Sequence, residues 1–75
     1  MKNDQINLKK LRLARESAGF SLSSAATALK TSKFSIYSYE KNRIAMPASI
    51  LFRMCKLYGI TPNDLMIIEK GGGAA

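Results

Sequence analysis

"SLSSAATALKTSKFSIYSYEKNR", residues 21–43, decides how this chain folds. Leu22, Ala25, Ala26 and Leu29 recur at the three- and four-residue spacing of an amphipathic helix, and Ser21 precedes them where a cap would accept free backbone N–H groups. The two alanines let another helix approach closely. A second helix is expected from Lys33 to Glu40, capped by Ser32 and closed by Asn42, with Ile36 and Tyr39 on one face. Only residues 30–32 connect the two, so the helices must cross steeply and the second must project from the body.

Outward from this pair, the same spacing yields three more helices, and no stretch sustains the alternation of a strand. The first is expected from Asp4 or Gln5 to Ala18, capped by Asn3 or Asp4, with Leu8, Leu11, Arg15 and Ala18 on one face and Gly19 as its stop. A fourth has Pro47 in its first turn, then Ile50, Leu51, Met54, Leu57 and Tyr58, and stops at Gly59. In "TPND" Thr61 caps a fifth, Pro62 takes its first position, Asp64 completes the cap, and Leu65, Met66, Ile67 and Ile68 follow. The fold class is therefore all-α, five helices around one core of Leu11, Ala14, Phe20, Ala25, Ala26, Leu29, Ile36, Tyr39, Ile50, Leu51, Met54, Leu57, Ile60 and Leu65. The domain is expected over residues 6–68, between an N-terminal arm (1–5) and a flexible tail (69–75) whose "GGGAA" offers nothing to pack.

Composition narrows the function. A 75-residue chain has room for one small core, and no staple supports it: there is no histidine, and Cys55 stands alone between Met54 and Lys56, expected as a small core hydrophobe. Without histidine, a ligand cluster or an activated nucleophile, acid–base, covalent and metal chemistry have no candidate residues, so neither enzyme activity nor a cofactor is expected. No apolar run reaches the roughly 18 residues of a membrane span, and none suits a signal peptide, so the cytoplasm is the expected location. The net charge of +7 is uneven: Lys9, Lys10, Arg12, Arg15, Lys30, Lys33, Lys41 and Arg43 face only Glu16 and Glu40 between residues 8 and 43. That field suits a polyanion, with nucleic acid ahead of an anionic membrane; a merely solubilising surface is the alternative.

Several spaced features point further. Arg15 stands four residues before Gly19; "GFS" opens the second helix; Ala26, Leu29, Ile36, Tyr39 and Glu40 follow in order, then Pro47 and "LYGITPNDL". Over residues 8–68 this pattern resembles the phage repressor and Cro-like (XRE-type) helix-turn-helix family. The resemblance implies a compact repressor-like domain with a central helix-turn-helix, in which Arg15 pairs with Glu40 and ties the first helix to the end of the third. The Arg15 fork is also of a kind that suits a phosphate.

By the same resemblance, Ser32, Lys33, Phe34, Ser35 and Ser38 are the candidates for base edges. Ser21, Ser23, Tyr37, Lys41, Asn42 and Arg43 are the candidates for phosphates. The chain departs from the family pattern at Leu22, where Gln is frequent, at Phe34 and Tyr37, where polar residues are frequent, and at Lys30, where the turn often has glycine. Three placements fit Phe34: against a thymine methyl, in the core beside Leu22, or against a protein. A left-handed Lys30 would cost about 1–2 kcal/mol.

Two functions follow. The first is a sequence-specific regulator of bacterial or phage type, a repressor whose helix 33–40 enters the major groove of double-stranded DNA and which binds a pseudo-palindromic operator as a homodimer. Met66, Ile67 and Ile68 are candidates for its dimer surface, and no membrane partner is expected. The second is a protein-interaction module of the same fold, an antitoxin or anti-repressor with a protein partner.

Overall fold

The computed structural model describes residues 6–67, and within them the chain forms five helices: α1 (Leu8–Ser17), α2 (Leu22–Leu29), α3 (Lys33–Glu40), α4 (Ala48–Tyr58) and α5 (Pro62–Leu65). The arm 1–5, Ile68 and the tail 69–75 lie outside the described residues. No strand occurs among those described, only an isolated antiparallel bridge between Ile6 and Met66. The domain is compact and all-helical, with α2 packed most extensively on α3 and α1 spanning α3, α4 and α5.

Local chemistry sets most of the boundaries. Ser21 and Ser24 form a reciprocal capping box at the start of α2, Ser32 accepts the Ser35 N–H at the start of α3, and Thr61 and Asp64 form a second box with Pro62 at the first position of α5. Asp64 holds its carboxyl below the usual range because the Thr61 backbone N–H and side chain stabilise the charged form.

Two starts and two ends differ from the sequence expectation, the end of α1 by one residue, with Ala18 as its C-cap. α1 begins at Leu8, not at Asp4 or Gln5, and Asn7 caps it by accepting from the Lys10 N–H. The cause is tertiary: the Asn7 N–H donates to the Leu65 carbonyl at 2.7 Å, which holds residues 6 and 7 extended. The same pairing stops α5 after Leu65, with Met66 extended opposite Ile6 rather than helical. Pro47 stands one place outside α4 as its extended N-cap, its carbonyl accepting from Ile50 and Leu51.

Four helices end in a left-handed residue, two at glycine (Gly19 and Gly59) and two not: Lys30 with φ 57° and Asn42 with φ 57°. Both exceptions flank α3. After α2 the Thr31 N–H reaches the Ala26 carbonyl and the Lys30 N–H the Thr27 carbonyl, a Schellman closure built on a lysine. We expect Lys30→Gly to raise unfolding stability by up to about 1 kcal/mol, the Cβ clash relieved less the entropy glycine loses. Urea titration measures it, and a fall in midpoint would show that the lysine side chain contributes more than its backbone costs.

The core comprises Leu11, Ala25, Ala26, Leu29, Ile36, Tyr39, Met46, Met54, Cys55, Tyr58 and Leu65. Ala14, Phe20, Ile50, Leu51, Leu57 and Ile60, expected inside, are half-buried around it. Met46, in the loop before α4, and Tyr58 were not on the expected core list; Ala18 is exposed rather than on the packed face of α1.

Candidate nucleic-acid interface

α3 is divided lengthwise. Ile36 and Tyr39 are buried, whereas Phe34 is 72 % exposed and Tyr37 38 % exposed. Phe34 is thus not part of the core, which removes one of its three placements. Lys33 Nζ lies 6.0 Å from the centre of the Phe34 ring, within cation–π range.

The far end of α3 turns sharply. The Arg43 N–H bonds the Ser38 carbonyl and the Asn42 N–H the Tyr39 carbonyl, a second Schellman closure with Asn42 left-handed. The turn brings two cations back onto the helix: Lys41 Nζ lies 5.7 Å and Arg43 Cζ 5.6 Å from the centre of the Tyr37 ring. Tyr37 therefore gathers Lys41 and Arg43, a role that sequence spacing did not reveal because it depends on the turn.

Leu22, at the start of α2, completes an open cleft of about 480 Å3 with Lys33, Phe34, Tyr37, Ser38 and Arg43. No carboxylate lines it. A smaller cleft of about 220 Å3, between α1 and the end of α3, is lined by Leu8, Lys9, Arg12, Glu40 and Lys41. Lys9 and Arg12 were not among the candidate site residues.

The hydroxyl candidates are not equivalent. Ser32 Oγ accepts the Ser35 N–H and lies 3.1 Å from Ser35 Oγ, so the two hydroxyls spend one proton on each other. Ser21 Oγ is likewise engaged with Ser24, and Ser23 is exposed beside it at the start of α2. Ser38 is half-buried and lines the larger cleft.

Behind this surface Arg15 and Glu40 meet as a fork: Nε donates to Oε2 at 2.7 Å and Nη2 to Oε1 at 3.2 Å, while Nη1 donates to the Phe20 carbonyl at 2.8 Å. Both side chains are buried, 7 % and 5 % exposed, and all three guanidinium nitrogens of Arg15 are engaged within the domain. The hydrogen bond to Glu40 raises the Arg15 pKa despite burial. Next to them Tyr58 tilts against Phe20, ring centres 5.9 Å apart, and its hydroxyl has no hydrogen-bond partner among the described residues. Burial first, then the Glu40 carboxylate, push that phenol up to about 12, so it stays neutral. Burial also raises the Cys55 thiol, which fits an inert core residue.

Among the described residues no group of three or more His, Cys, Asp or Glu side chains is placed to hold a metal ion, and no helix is long and apolar enough to cross a membrane. The comparison with known protein families matches the helix-turn-helix domain over residues 9–66. No curated protein and no solved structure gave a match. The matched family consists of DNA-binding regulatory modules, not enzymes. With five helices, the short 30–32 turn and a match spanning most of its length, this chain belongs to the helix-turn-helix domain family of the XRE/Cro–CI type.

Proposed function

We propose that this chain is a sequence-specific double-stranded DNA-binding regulator, a repressor that works by occupying an operator in the cytoplasm of a bacterial or phage-infected cell. The observation that carries this reading is the division of α3: one face locked in the core, the other exposed with Lys33, Phe34 and Tyr37 and flanked by Lys41 and Arg43. Exposed cations beside a projecting helix suit a major groove between two phosphate strands. Lys33, Phe34, Ser35 and Ser38 then address base edges, with Ser32 holding the helix start. Lys41, Asn42 and Arg43 address one strand of phosphates, and Ser21 and Ser23 at the start of α2 the other.

One domain of this size covers few base pairs, so useful affinity calls for two copies on a pseudo-palindromic operator. Met66 and Ile67, 50 % and 46 % exposed, are the candidate dimer surface; Ile68 falls outside the described residues. The competing reading, a protein-interaction module, draws on the same exposed Phe34 and the apolar side chains around it.

Fluorescence anisotropy on a random-sequence duplex at several salt concentrations separates the two. Phosphate contacts make affinity fall steeply with salt, and Lys41→Ala or Arg43→Ala is expected to weaken all duplexes alike and reduce the logarithmic salt slope by roughly one unit each. A flat salt dependence for the parent protein would favour the protein-interaction module.

A further inference from the structure

We infer that the cleft between Leu22, Phe34 and Tyr37 reads the C5-methyl groups of thymine, and that Phe34 is the residue that sets this preference. The inference rests on the groove-binding reading and deepens it by naming what α3 recognises.

Phe34 is the second residue of α3, in the turn that a projecting helix advances first, and at 72 % exposure it is the most exposed large apolar residue among the described residues. Leu22 approaches from the start of α2 and Tyr37 from one turn further along α3, so apolar carbon from two helices lines one cleft. Such a surface needs an apolar occupant to gain anything from being covered.

The rim restricts the choice. Lys33 and Arg43 line the cleft, Lys41 stands over the Tyr37 ring, and no carboxylate is present, so the occupant is anionic around an apolar projection. In the major groove the thymine methyl is the apolar group on a base edge, and phosphates flank it.

Hydrogen bonding at this end of α3 is also thin. Ser32 and Ser35 spend one hydroxyl proton on each other, which leaves Lys33 and a single hydroxyl as the polar donors of the first turn. Discrimination by hydrogen bonds alone would be weak here, and contact with a methyl adds what those two donors cannot.

The test uses duplexes selected from a random library by the parent protein. Each thymine of the selected site is replaced in turn by deoxyuridine, which removes the methyl and keeps every hydrogen-bonding group. Affinity is expected to fall about fourfold or more for each methyl buried. Phe34→Ala should bind the thymine and uracil duplexes alike, with an unchanged melting temperature because the ring is exposed, while Phe34→Leu should keep part of the discrimination.

Salt-sensitive duplex binding with no thymine that matters, or with a Phe34→Ala variant that discriminates as the parent does, overturns the inference and leaves the groove-binding reading intact. No salt-sensitive duplex binding at all overturns both, and the cleft then passes to a protein partner.

Discussion

Glu40→Ala is expected to cost about 3–5 kcal/mol of unfolding stability, because it leaves the buried Arg15 guanidinium with only the exposed Glu16 carboxylate, 3.9 Å away, as counter-charge. A 75-residue domain has a total stability of roughly 4–11 kcal/mol, so the loss removes about a third or more of it and unfolds much of the population only where the parent lies at the low end of that range. Arg15→Ala should cost a similar amount and also strands the Phe20 carbonyl. Arg15→Lys should recover only part, since an ammonium cannot form the fork to both Glu40 oxygens and reach Phe20 as well. Replacing the pair together, Arg15→Met with Glu40→Leu, should return stability close to that of the parent, as apolar substitutes do for many buried ion pairs. Urea denaturation of the parent, Arg15→Ala, Glu40→Ala and the double variant Arg15→Ala with Glu40→Ala gives a coupling energy, and a value below about 0.5 kcal/mol would show that the two residues act independently.

That pair was legible only through the family resemblance, because residues 25 positions apart carry no local signal. Signals that act within four residues were read directly: the caps at Ser21, Ser32 and Thr61 and the stops at Gly19 and Asn42, whereas the left-handed Lys30 was raised only by the family resemblance. The start of α1 was misplaced because Asn3, Asp4 and Asn7 are chemically similar caps, and a distant backbone bond from Asn7 to Leu65 chose between them. Met66 left its helix for the same reason.

At the candidate interface, sequence gave the residue types without their grouping. Tyr37 is a phosphate candidate from sequence, and the structure adds that two cations folded back by the Asn42 turn lie against its ring. Arg53 was missed altogether. Its Nη2 donates to the Leu29 carbonyl at 2.7 Å, tying α4 to the end of α2, and a long side chain with four rotatable bonds does not announce its partner in sequence.

Leu29→Ala is the second substitution with a large expected effect, about 2–5 kcal/mol for a buried leucine truncated to its Cβ. Leu29 is 3 % exposed and is the last residue of α2, so its side chain anchors the helix immediately before the turn into α3. The cost belongs at the upper end of the range if the cavity persists, and the neighbourhood opposes collapse. Lys30 is already strained on one side, and the Leu29 carbonyl is held by Arg53 on the other. Loss of this anchor should lower DNA affinity only through the folded fraction, with apparent Kd rising as that fraction falls. Saturating duplex should then restore much of the lost melting temperature, because a ligand that binds only the native state stabilises it by mass action. Arg53→Ala is the control: it removes the bond to the Leu29 carbonyl but leaves the core filled, so it should cost about 1–2 kcal/mol. Equal losses from the two variants would mean that the end of α2 is held by its carbonyl rather than by its buried side chain, and an unchanged midpoint for Leu29→Ala would remove Leu29 from the core.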